Sequence, residues 1–217
     1  MNKLETIAVI GDIHGCIRQL KELYSQILNF TDAVFSVGDL IDRGPDSKKV
    51  IQFCKDKNIK PVMGNHEDML LSSIDFENRS RIAKHSGTYL SWLMNGGDYT
   101  IKSYINTEKE DISEFVGKFI DCGHYEFIKN LPLIIETEQC IITHGGILTG
   151  RNKENALVNR HTPSLLHKIQ VTGHTPEPNV FFAKNHYISI DTGCVFWGKL
   201  SAVILFPDGR HKILSSN

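Results

Sequence analysis

Five times along the chain, an apolar run of strand length ends in a glycine-flanked Asp, Asn or His. Ile10-Gly11-Asp12-Ile13-His14-Gly15 closes the first run, and Gly38-Asp39-Leu40-Ile41-Asp42-Arg43-Gly44 follows Ala33–Val37. Gly64-Asn65-His66-Glu67 follows Pro61–Met63, Thr143-His144-Gly145-Gly146 follows Cys140–Ile142, and Thr172-Gly173-His174-Thr175 follows Ile169–Val171. Glycine lets backbone approach a ligand closely and Asp supplies a hard oxygen, so such an ending suits a metal or phosphate site. Taken singly, each ending reads as well as a turn, since Gly, Asp and Pro are turn residues. Five in one chain are hard to explain as unrelated turns.

The spacing between these endings points to a fold class. Thr6–Ile10, Ala33–Val37 and Pro61–Met63 read as strands. Between the first two, Ile17, Leu20, Leu23, Tyr24, Ile27 and Leu28 share one helical face. Before the third, a helix N-capped by Ser47 carries Val50, Ile51, Phe53 and Cys54. A βαβαβ order predicts a parallel sheet with right-handed crossovers, in which ligands bind beyond the carboxyl ends of the strands. Asp12, Asp39 and Asn65 fall there.

The middle of the chain, Glu67 to Asn130, reads as mostly helical. Met69, Leu70 and Ile74 form one stripe, and Leu90, Leu93 and Met94 another, which Gly96-Gly97 stops. Ile112, Phe115, Val116 and Phe119 form a third. These stripes predict core rather than a cofactor box, within a helical cap or side insertion beside the cleft. The last third predicts strands at Leu133–Glu136, Cys140–Thr143, Ile169–Thr172, Val180–Ala183, Tyr187–Asp191, Leu200–Phe206 and His211–Leu214. Hairpin turns at Lys184-Asn185-His186 and Pro207-Asp208-Gly209 make the pairing mixed.

Composition removes several function classes. At 217 residues and 41% hydrophobic content, the chain reads as a single domain, residues 1–217, with a sizeable core. Its 24 basic and 25 acidic residues give no basic excess, so no nucleic-acid partner is expected. No apolar run approaches membrane-spanning length and no signal-peptide pattern precedes Thr6, so no membrane partner is expected. Five widely spaced cysteines with no CxxC pair argue against a disulfide framework or thiolate zinc site, and fit a cytoplasmic protein. Export as an effector stays open.

The strand-end side chains Asp12, His14, Asp39, Asn65, His144 and His174 make a mixed oxygen and imidazole set. Such a set suits manganese, iron or zinc better than calcium. Six ligands exceed what one catalytic metal needs. Two metals sharing a carboxylate use them, and such pairs clamp a phosphoryl group in transfer.

The ordered motifs GDIHG, GDLIDRG, GNHE, HGG and GHT, with Ser189-Ile190-Asp191-Thr192-Gly193-Cys194 beyond them, resemble the PPP-type serine/threonine phosphatases of the calcineurin-like metallophosphoesterase superfamily. The short lambda-phosphatase-like bacterial and phage members look closest. The resemblance implies an α/β sandwich of two mixed β-sheets flanked by helices (α-β-β-α), with a helical insertion in the middle of the chain. It implies that Asp12 and His14 bind one metal, that Asp39 bridges, and that Asn65, His144 and His174 complete the second site. His66 would be the general acid, oriented by Asp42, and Arg43 would grip phosphate oxygens with Asn65 nearby. Arg160 is the candidate second phosphate arginine, although Val158 stands where the short relatives carry a tryptophan near it.

The implied function is a manganese-dependent phosphatase, with iron or zinc as alternatives. It would cleave phosphoserine and phosphothreonine in a phosphoprotein or phosphopeptide, and also phosphotyrosine or small monoesters. The implied route is direct attack of a hydroxide bridging the two metals. The alternative is a bis(5'-nucleosyl)-tetraphosphatase-type hydrolase of dinucleoside polyphosphates, since GHTP (Gly173 to Pro176) is shared with that group. A non-catalytic relative is disfavoured, because no ligand and no acid is missing. His85, His124, His161, His167, His186 and His211 follow no motif and read as surface or satisfied core residues. Glu67 reads as an acid opening a helix, Asp191 as structural, and Phe196 and Trp197 as cleft or core aromatics.

Overall fold

The computed structural model describes residues 5–75, 81–82, 87–105, 112–151 and 153–216. Strand β1 (Ile7–Ile10) is buried at all four positions, as befits a strand covered on both faces. Helix α1 (Ile17–Ile27) lays Leu20, Leu23, Tyr24 and Ile27 into the core, while Leu28 lies past its end and is half exposed. Strand β2 (Val34–Ser36), helix α2 (Ser47–Asp56) and strand β3 (Lys60–Pro61) follow, with β1, β2 and β3 in parallel register. The predicted third strand extended to Met63. Val62 still donates to the Ser36 carbonyl, but Met63 turns its N–H to Pro132, which ends the ladder. Asp46, not Ser47, occupies the N-cap of α2, and the Ser47 hydroxyl instead accepts the Asp42 N–H (3.1 Å).

The middle of the chain is helical as expected: α3 (Asn65–Ser73), α4 (Gly87–Trp92), a π-turn (Leu93–Gly97), α5 (Asp98–Tyr104), α6 (Ile112–Asp121) and α7 (His124–Lys129). A two-stranded ribbon, β4 (Ile74–Asp75) with β5 (Arg81–Ile82), interrupts it. Ile112, Phe115, Val116 and Phe119 are buried in one continuous core with Leu20, Leu23, Ile51, Trp92 and Tyr104. The segment is thus built into the helical layer of the fold.

One stripe differs from expectation. Leu90 and Met94 are exposed (53% and 89%), and Leu93 only borders the core. Tyr89 and Trp92 carry the inward face instead. An indole offers more apolar area than leucine and needs a partner for its N–H, and Trp92 finds both. Gly96 breaks the helix at φ 97, and the chain continues directly into α5.

His124, in this core, has an ordinary structural role with a measurable consequence. Tyr104 donates its hydroxyl to Nδ1 (2.5 Å), and Nε2–H donates to Gln52 (3.0 Å). Burial, with Lys55 and Lys48 nearby, lowers its pKa from 6.5 to about 4. The unfolded chain therefore takes up a proton that the folded chain refuses. This stability term is complete above pH 6.5 and is lost as pH falls toward 4, on the order of 2 kcal/mol. Urea unfolding of His124→Gln is expected to show a flatter pH dependence across that window. An unchanged slope would place the acid sensitivity elsewhere.

The remaining strands are β6 (Ile134–Glu136), β7 (Cys140–Thr143), β8 (Ile169–Thr172), β9 (Phe181–Ala183), β10 (Tyr187–Ser189), β11 (Ser201–Leu205) and β12 (His211–Ser215). A 3-10 turn (Lys153–Leu157) and the short helix α8 (Cys194–Trp197) lie among them. The first sheet runs β12-β11-β1-β2-β3 and the second β6-β7-β8-β10-β9, each mixing parallel and antiparallel pairs. Alternation divides the first sheet's side chains. Ala8, Ile10, Ala202 and Ile204 face the helices, and Val9, Phe35, Val203 and Leu205 meet Cys140, Ile142, Val171 and Ile188 of the second sheet. The fold is α/β, two mixed sheets flanked by helices. The five cysteines are free thiols. No helix among the described residues is long and apolar enough to cross a membrane.

Candidate metal centre

The strand ends of both sheets converge. Asp12 and His14 follow β1, Asp39, Asp42 and Arg43 follow β2, and Asn65 and His66 open α3. His144 follows β7, and His174 follows β8. The turns that deliver them are strained. His14, Asp39, Asp42, Arg43 and His174 have φ of 43°, 49°, 69°, 66° and 67°, five of the seven described non-glycine residues with positive φ. Each such residue costs on the order of 1 kcal/mol and persists only where its surroundings hold it. Here the Asp39 carbonyl accepts from Ile13 and His14 (3.0 and 2.9 Å), and the Gly96 carbonyl accepts from Arg43 (3.1 Å). Gly64 and Gly173 are needed for close approach, because a Cβ on either would strike the Asp39 or the Asp12 carboxylate.

Two groups of potential ligands share Asp39: His14, Asp39 and His66, and Asp39, His144 and His174, each with ligand atoms within 4.8 Å of one another. Asp39 Oδ2 lies 3.5 Å from His14 Nε2 and 3.4 Å from His144 Nε2. His14 and His144 each donate Nδ1–H to a backbone carbonyl, of Ile41 and Val37 (both 2.8 Å). That bond orients each ring so that Nε2 faces the site, as metal-binding histidines require. His144 Nε2 also lies 2.9 Å from the Asn65 side-chain oxygen and 3.1 Å from His174 Nδ1. Asp12 is turned onto the backbone N–H of His174 (3.1 and 3.3 Å) and falls outside both groups.

Electrostatics point the same way. Burial raises the Asp12 carboxyl well above its ordinary range, and Asp191 and Asp39 add to the rise. Burial opposes ionisation of Asp39 as well, but His144 and His66 outweigh it and hold the carboxyl well below its usual value. Burial would lower His144, yet Asp39 and Asp12 bring it to about 10. His14 and His174 are lowered to about 3, mainly by burial. A cation would take the place of the proton that His144 otherwise holds, and the mixed carboxylate, imidazole and amide donors fit borderline divalent cations.

Beside this set lies a hydrogen-bonded unit. His66 Nδ1 meets Asp42 Oδ2 at 2.7 Å, and its Nε2 lies 3.9 Å from Asp39. The Trp92 indole N–H (2.9 Å) and the Thr100 hydroxyl (2.6 Å) also donate to the fully buried Asp42. Burial lowers His66, but Asp39 and Asp42 outweigh it and raise its pKa above the ordinary value. Glu67 does more than open α3. Its carboxylate accepts from the N–H groups of Asp39, Leu40 and Gly64 (3.0, 2.8 and 3.0 Å), clamping two motif loops together. Burial, then Asp39, raises it to about 7. Trp92, Thr100 and this clamp went unseen in the sequence, where nothing marks the middle helices as Asp42's neighbours.

Arg43 donates to His14 Nε2 (2.7 Å) and rests over the Phe196 ring at 5.5 Å. Phe196 and Trp197 are both more than half exposed, so neither is core. Arg160 is exposed at the other side and donates to the His174 carbonyl (3.1 Å). Asp191 lies two residues past β10, buried, and accepts from the Gly193 N–H (2.9 Å). Of the unassigned histidines, His161, His167 and His211 are exposed, and His186 donates to the Pro163 carbonyl (2.7 Å). His85 lies outside the described residues.

Comparison with known proteins matches residues 5–195 to the calcineurin-like phosphoesterase family. The chain is 32% identical to an asymmetrical bis(5'-nucleosyl)-tetraphosphatase PrpE of Oceanobacillus iheyensis, over 97% of this chain and 92% of that one. It is 31% identical to serine/threonine-protein phosphatase 1 of Salmonella typhimurium, over 89% and 88%. A solved structure described provisionally as a diadenosine tetraphosphatase shares the fold, with a TM-score of 0.69 at 23% identity over 100% of this chain and 96% of that one.

Proposed function

The chain belongs to the calcineurin-like phosphoesterase family, and from that premise we propose that it is a phosphohydrolase with two divalent cations, manganese being the best fit. The observation that carries the reading is Asp39, common to both ligand groups. Asp12 and His14 would hold one cation, Asn65, His144 and His174 the other, and Asp39 both. When bound, such a pair lowers the pKa of water to give a nucleophile near neutral pH and neutralises phosphoryl charge. Arg43 and Arg160 flank the site and bind phosphate oxygens through their planar donors, with Asn65 beside them. His66 Nε2 gives its proton to the departing oxygen, and Asp42 holds the ring and supports its charge. Free thiols fit action in the cytoplasm.

The His66–Asp42 unit favours a poor leaving group, as in phosphoserine and phosphothreonine esters, because an alkoxide departs only with a proton. That is the leading substrate reading, and the similarity to a serine/threonine-protein phosphatase supports it. A second reading, dinucleoside polyphosphates, is favoured by a cleft of about 530 Å³ that opens beside Gly145 and Gly173 and includes Arg160. Phosphate release from a phosphothreonine peptide and cleavage of diadenosine tetraphosphate, both with manganese and an Asp39→Asn control, separate the two. Preference for the peptide, abolished in the control, upholds the leading reading. Preference for the dinucleotide replaces it at the same centre, and turnover of neither with cations bound would overturn both.

A further inference from the structure

The cleft beside Arg160 differs in chemistry from the cation centre that it adjoins. It is lined by Gly145 and Gly173, the neighbours of His144 and His174, and by Arg160. Phe181 and Tyr187 also line it, with their rings 5.5 Å apart at 39°. Phe181 is half exposed although it stands on strand β9, with Ser189 as its cross-strand partner. Glu177 also lines the cleft and is exposed. A volume of about 530 Å³ falls in the range of small-molecule sites.

The order of groups is the telling feature. Beside the cation ligands stands the Arg160 guanidinium, bonded to the His174 carbonyl, and two strands out from β8, across Ser189 of β10, Phe181 offers an open aromatic face, with the Glu177 carboxylate also in the lining. A nucleotide presents the complementary series: a reacting phosphoryl group, a further phosphate, then a ribose and a flat heterocycle. Arg160 lines the passage and spends one guanidinium N–H on the His174 carbonyl, which leaves its other donors for a phosphate. Aromatic side chains bind bases by stacking. A carboxylate accepts from ribose hydroxyls or an exocyclic amine, but repels further phosphate.

We propose that this cleft is a nucleoside subsite, with the base stacking on Phe181 and Tyr187, the sugar near Glu177, and the phosphate next to the scissile one on Arg160. The assignment rests on the dinucleotide reading of the centre. It makes Phe181 a specificity residue rather than a catalytic one.

The test uses the manganese-loaded full chain and three probes: diadenosine tetraphosphate, p-nitrophenyl phosphate and free adenosine. Loss of the ring in Phe181→Ala is expected to raise the ratio of KM for the dinucleotide to KM for the nitrophenyl ester by about tenfold, the scale of one lost base stack. Phe181→Tyr is expected to restore most of it. Adenosine, which carries no phosphate, is expected to bind wild type in equilibrium dialysis and to be lost in Phe181→Ala. An unchanged KM ratio in a protein that does cleave the dinucleotide overturns the subsite while leaving the reading intact. A protein that cleaves only phosphopeptide defeats the dinucleotide reading, and adenosine dialysis then decides the subsite alone. Retention that depends on Phe181 supports it, and no retention overturns it.

Discussion

Asp39→Asn is expected to empty the centre and to cut turnover by about a thousandfold, the upper end of what losing one transition-state charge partner costs. The substitution is nearly isosteric. Its oxygen can keep the bond that Asp39 Oδ1 accepts from the His66 N–H (3.1 Å), so the turn into α3 survives. What disappears is the charge at Oδ2, the atom that faces both His14 (3.5 Å) and His144 (3.4 Å). An amide nitrogen there is a donor among lone pairs and ligates nothing. The variant has a signature that a merely misfolded protein lacks. Without cations, the variant loses the charge that His144 and His66 favour in the folded state, so it is expected to melt somewhat below wild type while still unfolding cooperatively. With cations, wild type gains stability by mass action, about 2.7 kcal/mol at a hundredfold excess over Kd, and the variant does not. Thermal melts with and without manganese, together with metal content per chain, read this out. A variant that still binds two cations and melts higher with manganese would remove Asp39 from the bridging position.

Much of this architecture was legible because period and punctuation agreed. Cys140–Thr143 and Ile169–Thr172 are strands at their predicted limits, since each is a short apolar run cut off by the glycine-flanked histidine that follows. The convergence of Asp39, His144 and His174 was legible for a related reason. Strand ends in a sandwich of parallel-containing sheets gather on one edge, and the motif residues all stand at strand ends. The errors come from tertiary competition. Leu90, Leu93 and Met94 have helical spacing, but Tyr89 and Trp92 on the neighbouring face pack better, and Trp92 also satisfies Asp42. Ser47 has a cap residue's chemistry, but its hydroxyl is taken by the Asp42 N–H. In both cases the winning partner is more than 40 residues away or across a turn, where no local pattern can indicate it. Thr100 was invisible on the same ground: it reaches Asp42 across 58 positions.

His66→Asn is expected to separate two roles that geometry places side by side. His66 stands with His14 and Asp39 as a potential ligand group, yet its Nδ1 is committed to Asp42. If it is the acid, kcat on a phosphothreonine peptide falls by about a hundred- to a thousandfold, the usual contribution of a positioned proton donor. On p-nitrophenyl phosphate the loss is far smaller, about tenfold, because nitrophenolate departs without a proton. Manganese content stays at the wild-type level. Asn suits the test because its amide N–H can replace Nδ1–H toward Asp42, and Trp92 and Thr100 go on donating to that carboxylate. The buried charge therefore keeps its partners, and a general collapse of the site is avoided. If His66 is a ligand instead, manganese content drops and both substrates suffer alike, since each needs the same nucleophile. Equal losses with the cations retained would remove both roles, leaving His66 a positioning group for Asp39, whose Oδ1 accepts its backbone N–H. The leaving-group dependence and the metal content together therefore assign the imidazole, where either measurement alone would not.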